Sequence, residues 1–193
     1  MFDEEKVKKV VKEFLEAIGE DTEREGLKET PRRVCGYWKE LLEGQYLTNK
    51  EIADKYAKCF IVKDNPLVVK EVKNVYSHCE HHLALMFNMK IVVAYLPKQV
   101  EGGYKVIGLS KIPRIVDLCS KRLQLQEKLA SDIAECISIA TESEDVYVNI
   151  KGDHACVSAR GAKSDGVTDV TYLSGKFRTN SDLRNEVERK IEK

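Results

Sequence analysis

The sequence predicts an α+β fold in which a short run of helices precedes a domain ordered strand, strand, helix, helix, strand, strand. Three observations predict it. The first 60 or so residues carry apolar side chains at helical spacing; from Pro66 the apolar residues become β-branched and short in period; and two amphipathic stretches with their own start signals separate the two strand pairs. With 193 residues, 33% charged and 42% hydrophobic, the chain can build one sizeable core plus an accessory segment. We divide it into a helical extension, 1–62, and an α+β domain ending in a C-terminal helix, 63–193.

The first helix follows from Val7, Val10, Val11, Phe14 and Ile18 on one side, with Asp3 placed to cap its start and Gly19 to end it. After a polar stretch, Thr30-Pro31 opens a second helix as cap and first residue, with Val34, Trp38, Leu41 and Leu42 sharing a face and Gly44 closing it. Thr48 and Glu51 have capping-box spacing for a third helix reaching about Cys59. Leu67, Val68, Val69, Val72 and Val75 mark a strand. Lys90 to Leu96 and Tyr104 to Leu109 read as a strand pair turned by Gln99 to Gly103. Ser110 caps the next helix, in which Ile112, Ile115, Val116 and Cys119 share a face and Pro113 is tolerated in the first turn. A further helix over Leu125 to Ala140 turns Leu129, Ile133, Cys136 and Ile137 inward. Val146 to Val157 and Gly166 to Leu173 complete the strands. No internal repeat, low-complexity tract or long linker interrupts this order.

Charge excludes some functions. Thirty-two Lys and Arg balance 32 Asp and Glu, which leaves no electrostatic footprint for duplex nucleic acid or an anionic membrane. Any anion must be held locally. The start, Met1-Phe2-Asp3-Glu4-Glu5, lacks a basic region followed by an apolar one, and no apolar run approaches membrane-spanning length, so a cytoplasmic location is expected. Cys35, Cys59, Cys119 and Cys136 stand singly in helical or apolar stretches and read as reduced packing residues.

The other two cysteines stand among all four histidines, in Ser77-His78-Cys79-Glu80-His81-His82 and Gly152-Asp153-His154-Ala155-Cys156. Thiolate and imidazole are the donors zinc prefers, and Cys79 and His82 are spaced to share an ion with Cys156 from the distant segment. Three protein ligands leave a fourth place for water, the arrangement of a catalytic rather than a structural zinc. His81 and His154 then remain beside the ion as proton carriers. On a strand His154 and Cys156 would point to the same face. A closed site with His81 or His154 as fourth ligand, or no metal at all, stays open at this point. His78 has no spacing partner and reads as a loop residue near the site.

Taken in register, Cys79-Glu80-His81-His82, Gly108-Leu109-Ser110-Lys111, Gln124-Leu125-Gln126-Glu127-Lys128-Leu129 and His154-Ala155-Cys156 with Ala159-Arg160-Gly161 resemble the GTP cyclohydrolase I family. Gly19-Glu20-Asp21, Glu29-Thr30-Pro31-Arg32-Arg33-Val34 and Leu173-Ser174-Gly175-Lys176-Phe177 extend the resemblance over nearly the whole chain. It implies Cys79, His82 and Cys156 as ligands of Zn2+, His81 and His154 as catalytic histidines, and Glu127 after Gln126 as the guanine anchor. It further implies Ser110, Lys111, Arg114 and Arg160 around the triphosphate of GTP, with Arg33 contributing from the extension and Ser110 also assisting at the ribose. The fold implied is the tunnelling fold, assembled as a toroidal homodecamer of two pentamers with sites between subunits. The activity implied is hydrolysis and rearrangement of GTP to 7,8-dihydroneopterin triphosphate and formate. Two alternatives remain: a cyclohydrolase variant that stops at another product, and a ring-forming zinc protein that binds purine nucleotide without full turnover. The sequence departs from the family's usual pattern at Leu83 to Met89, which has no glycine, at the longer Gln99 to Lys105, and at Gly36.

Overall fold

The computed structural model describes residues 1–191, so the last two residues of the predicted α+β domain lie outside it. The extension begins with α1, Glu4–Ala17, whose Asp3 side chain accepts from the Lys6 N–H. Gly19, at φ 86°, lets the chain leave the helix while Glu20 N–H bonds back to Leu15 C=O. Only Leu15 is buried on this helix; Val10, Phe14 and Ile18 of the predicted apolar face stay exposed. The second helix, α2, spans Thr30–Leu41 with Glu29 at the cap position, so Thr30 is helical and Pro31 sits one residue further in than predicted. A 3-10 turn, Glu43–Tyr46, follows, and at Gly44 any Cβ would collide with the Leu118 carbonyl. Glycine is what allows that close approach. The third helix, α3, Asn49–Tyr56, has the predicted capping box between Thr48 and Glu51.

Eight strands follow in two sheets among the described residues. β1 (Cys59–Val62), β4 (Lys98–Val100) and β5 (Gly103–Ile107) form a small antiparallel sheet in the order β1-β5-β4. The larger sheet has the order β6-β2-β3-β7-β8, from β2 (Val68–Cys79), β3 (Leu85–Tyr95), β6 (Leu123–Gln124), β7 (Val146–His154) and β8 (Thr168–Leu173). The predicted pairing of Lys90 to Leu96 with Tyr104 to Leu109 does not form. β3 lies between β2 and β7, while β5 pairs with β4 and with β1, a strand that starts where the third helix was expected to end and that corrects the expectation of a wholly helical 1–62. The two sheets meet at Tyr95, a buried residue whose hydroxyl accepts from the Ile107 N–H at 2.9 Å.

Alternation along β3 sorts its side chains to two layers. Ile91, Val93 and Tyr95 join the main core with Ile112, Ile115 and Cys119 of α4 (Lys111–Ser120) and Leu129, Ile133 and Ile137 of α5 (Gln126–Thr141). Val92 and Ala94 face the other way, onto Phe177 of the short α7 (Lys176–Thr179) and Val187 of α8 (Ser181–Ile191). The core strands and helices therefore follow the predicted order, with the β4–β5 hairpin inserted after β3. Irregularities gather toward one end of the sheet. The β2–β3 register shifts twice between Val72 and Ser77, and the β3–β7 register shifts between Phe87 and Lys90. Asn74 and Asn88 take φ values of 56° and 52° there, a conformation that asparagine tolerates well. No helix among the described residues is long and apolar enough to cross a membrane.

Candidate metal centre and active site

The β2–β3 connection and the end of β7 bring the two histidine-rich segments together. β2 stops at Cys79, whose N–H donates to Ala84 C=O at 2.9 Å, and the chain reverses through Leu83 at φ 52°. This tight loop puts His82 back over Cys79. The third donor arrives differently from the expectation. β7 ends at His154, and Cys156 lies in α6, a helical turn over Ala155–Ser158, so the two do not share a strand face. The turn carries the Cys156 sulfur toward β2, and the donor atoms of Cys79, His82 and Cys156 all lie within 4.8 Å of one another.

Those three donors fit zinc by their chemistry. Two sulfurs and an imidazole at this spacing need little contraction to reach zinc's usual bond lengths of about 2.0–2.3 Å. Partial burial and the adjoining Cys79 sulfur hold the Cys156 thiol above its ordinary range, an obstacle that a bound dication removes by favouring both thiolates. Cys79 is buried, Cys156 half-buried and His82 exposed, so the group opens toward solvent.

His81 is exposed, its ring 6.3 Å from that of His82 and nearly perpendicular to it. His154 is half-buried and its Nε2 lies 2.6 Å from Gln126 Oε1. A cavity of about 320 Å³ opens beside it, bounded by Phe87, Asp153, Ser158 and Thr168. Glu127 follows Gln126 in the first turn of α5 and is exposed. Arg160 reaches His82, with Nη1 3.3 Å from the ring Nε2.

The remaining predicted residues lie on two helices. Ser110, at the start of α4, makes no capping bond with its side chain; Lys111 and Arg114 occupy the first turn. Arg33 is exposed on α2. None of the four is hydrogen-bonded to the Cys79, His82 and Cys156 group among the described residues.

Sequence reasoning missed two features. His78 is not a loop residue: it is 2% exposed on β2, with Tyr37 Oη 2.7 Å from its Nε2 and the Trp38 ring 4.8 Å away. Burial pushes its pKa below the ordinary value, so the ring stays neutral and docks α2 against the residue before Cys79. The second is Arg122. Its guanidinium binds Asp132 at 2.7 Å, Asn49 at 2.7 Å and the carbonyls of Gly44 and Leu47, stapling the extension to the segment that leads into Gln126. The sequence around it, Ser120-Lys121-Arg122-Leu123-Gln124, is polar and gave no signal that this arginine is buried.

Comparison with known proteins places the chain in a family. The family described as GTP cyclohydrolase I matches residues 7–192. A protein of Ruminiclostridium cellulolyticum named GTP cyclohydrolase 1 is 48% identical over 193 residues, covering 96% of each chain. One of the same name from Clostridium beijerinckii is 45% identical, covering 95% of this chain and 94% of its own. Among solved structures, the archaeosine synthase QueF-Like in the apo form is similar with a TM-score of 0.47 at 22% identity, over 58% of this chain and 97% of its own. A match that runs from α1 to the end of α8, with relatives of equal length close to half identical, means that this chain belongs to the GTP cyclohydrolase I family.

Proposed function

We propose that the chain converts GTP and water to 7,8-dihydroneopterin triphosphate and formate, using a zinc ion held by Cys79, His82 and Cys156. The observation that carries this reading is the convergence of those three donors within 4.8 Å, a group that leaves out His81 and His154, their neighbours in sequence. Bound there, zinc would supply Lewis-acid activation of water for attack at C8 of the purine.

The chain's own residues do the rest. Glu127 accepts from the N1 and N2 hydrogens of guanine, a pair adenine cannot offer. His81 and His154 move protons at the imidazole ring: protonation at N7 makes C8 electrophilic, and proton transfer to N9 lets the C8–N9 bond open to a formamide. A second hydrolysis frees formate; the ribose then opens and rearranges, and the exposed amine closes the dihydropterin ring. Ser110, with a side chain free at a helix start, suits phosphate oxygens and the ribose. Lys111, Arg114, Arg160 and Arg33 supply cations for the triphosphate, the arginines as forks.

On one chain these contacts are spread over α2, α4, α5 and the ends of β2 and β7, which favours sites completed between subunits of a tunnelling-fold ring, a homodecamer of two pentamers. Two further features support assembly: β8 is an edge strand of the larger sheet, and Val10, Phe14 and Ile18 leave an apolar stripe on α1. The six free cysteines fit a reducing, cytoplasmic setting.

The test is incubation of purified, metal-analysed protein with GTP. Formate and an oxidisable, fluorescent pterin in equal amounts are expected. A formamide nucleotide accumulating without pterin would identify a cyclohydrolase variant, and unchanged GTP a nucleotide-binding ring protein.

A further inference from the structure

Gln126 is grouped with the substrate contacts by family resemblance, yet its side chain is only 2% exposed and every polar atom of its amide is used inside the chain. Its Nε2 donates to Ile150 C=O on β7 at 2.9 Å and to Thr168 C=O on β8 at 3.1 Å. Carbonyl oxygens only accept, so these two bonds fix which end of the amide is nitrogen. The other end, Oε1, therefore faces His154 Nε2 at 2.6 Å. An amide oxygen cannot donate. The hydrogen of that short bond must sit on the imidazole Nε2, and Nδ1 is left as the ring nitrogen open to proton exchange. No group among the described residues bonds Nδ1.

We infer that Gln126 is a positioning residue for the reaction rather than a substrate contact: it locks His154 in the Nε2–H form and aims Nδ1 at the reacting purine. The inference rests on the reading of His154 as a proton carrier. Its physical basis is the same as for any catalytic histidine oriented by a hydrogen-bonding partner, where the wrong tautomer presents a hydrogen where a lone pair is needed. The location supports it. Gln126 is the first residue of α5, buried in the main sheet's end, and it ties the last residue of β7 to the first residue of β8 while its neighbour Glu127 faces outward. One dipeptide thus sets a proton carrier from inside and offers a carboxylate outside.

The test uses zinc-loaded assembled protein with three readouts: steady-state kinetics, bound zinc, and ¹⁵N spectra of imidazole-labelled protein at a pH where the ring is neutral, with the His154 signal identified by its loss in His154→Ala. Wild-type protein is expected to carry the His154 hydrogen on Nε2. Gln126→Met, similar in length but unable to make these bonds, is expected to keep zinc, to leave KM for GTP within about twofold, to lower kcat by at least about tenfold, and to put hydrogen on Nδ1 in part of the population. A raised KM with unchanged kcat would overturn the inference in favour of a substrate contact. So would a wild-type His154 signal with hydrogen on Nδ1, a result that stands even if Gln126→Met does not fold. Full turnover by His154→Ala would instead remove the proton-carrier reading, and is distinguished because the wild-type tautomer is read independently of activity.

Discussion

Cys156 and His154 are two residues apart, yet their side chains go to different places, because the strand ends between them. His154 ends β7 in extended conformation and is held by Gln126, whereas Cys156 turns with α6 toward Cys79. This separation predicts opposite outcomes for two substitutions. Cys156→Ser and His82→Ala each lose zinc and turnover together, while His154→Ala retains zinc by metal analysis and loses turnover. Zinc lost from His154→Ala would mean that this histidine ligates. Another residue-scale consequence concerns alkali. Burial pushes the Tyr95 phenol up to about 12, above its ordinary value of 10.0, and does the same for Tyr147. The sign follows directly: the folded state binds the phenolic proton more tightly than the unfolded chain does, so the associated stability is fully present below pH 10 and is lost as pH rises toward 12. Denaturation midpoints measured from pH 8 to 11.5 are expected to hold steady and then fall. In Tyr95→Phe the fall is shallower, and an unchanged slope would contradict the assignment.

At the scale of elements, the Arg122 staple ties the 3-10 turn and α3 to the start of α5. Arg122 and Asp132 are 9% and 5% exposed, and Lys128 also reaches the same carboxylate, at 2.5 Å. Lys128 still faces the Asp132 carboxylate when Arg122 is removed, so the cost is that of the polar groups left without a partner, about 1–3 kcal/mol, rather than that of a bare buried charge. Arg122→Met also strands the Gly44 and Leu47 carbonyls, so denaturant unfolding at fixed protein concentration is expected to show a loss of that order. A loss below about 1 kcal/mol would mean that the staple contributes little. These features bear on what sequence alone can reveal. Helix caps at Asp3 and Thr48, the helices over α4 and α5, and strands β7 and β8 were legible because capping and periodicity are local. Strand partners were not. Alternation assigns a face but no neighbour, and the turn at Gln99 to Gly103 belongs to a β4–β5 hairpin rather than to a pair including β3. β1 escaped notice because Phe60 and Ile61 are about half exposed and the strand has only four residues. For the site, the grouping of Cys79, His82 and Cys156 was legible from residue type and spacing, but the burial of His78, the α6 turn and the Gln126–His154 bond depend on contacts between distant segments.

For the whole molecule, one chain presents the Cys79, His82 and Cys156 group, open to solvent at His82, and a cationic helix start, with an unpaired strand edge and an apolar stripe on α1. Light scattering is expected to give a mass of about 220 kDa, ten times the 22.0 kDa chain. A 22 kDa species with full turnover would contradict sites completed between subunits. The entire account turns on an ion held by three side chains with one place left over. X-ray absorption at the zinc edge of the loaded protein reads that directly, and the account predicts two sulfurs at about 2.3 Å with two lighter donors at about 2.0–2.1 Å, one nitrogen and one exchangeable oxygen, falling to a single sulfur in whatever zinc Cys156→Ser retains. A wild-type shell closed by four protein donors, or two sulfurs persisting in Cys156→Ser, would contradict it.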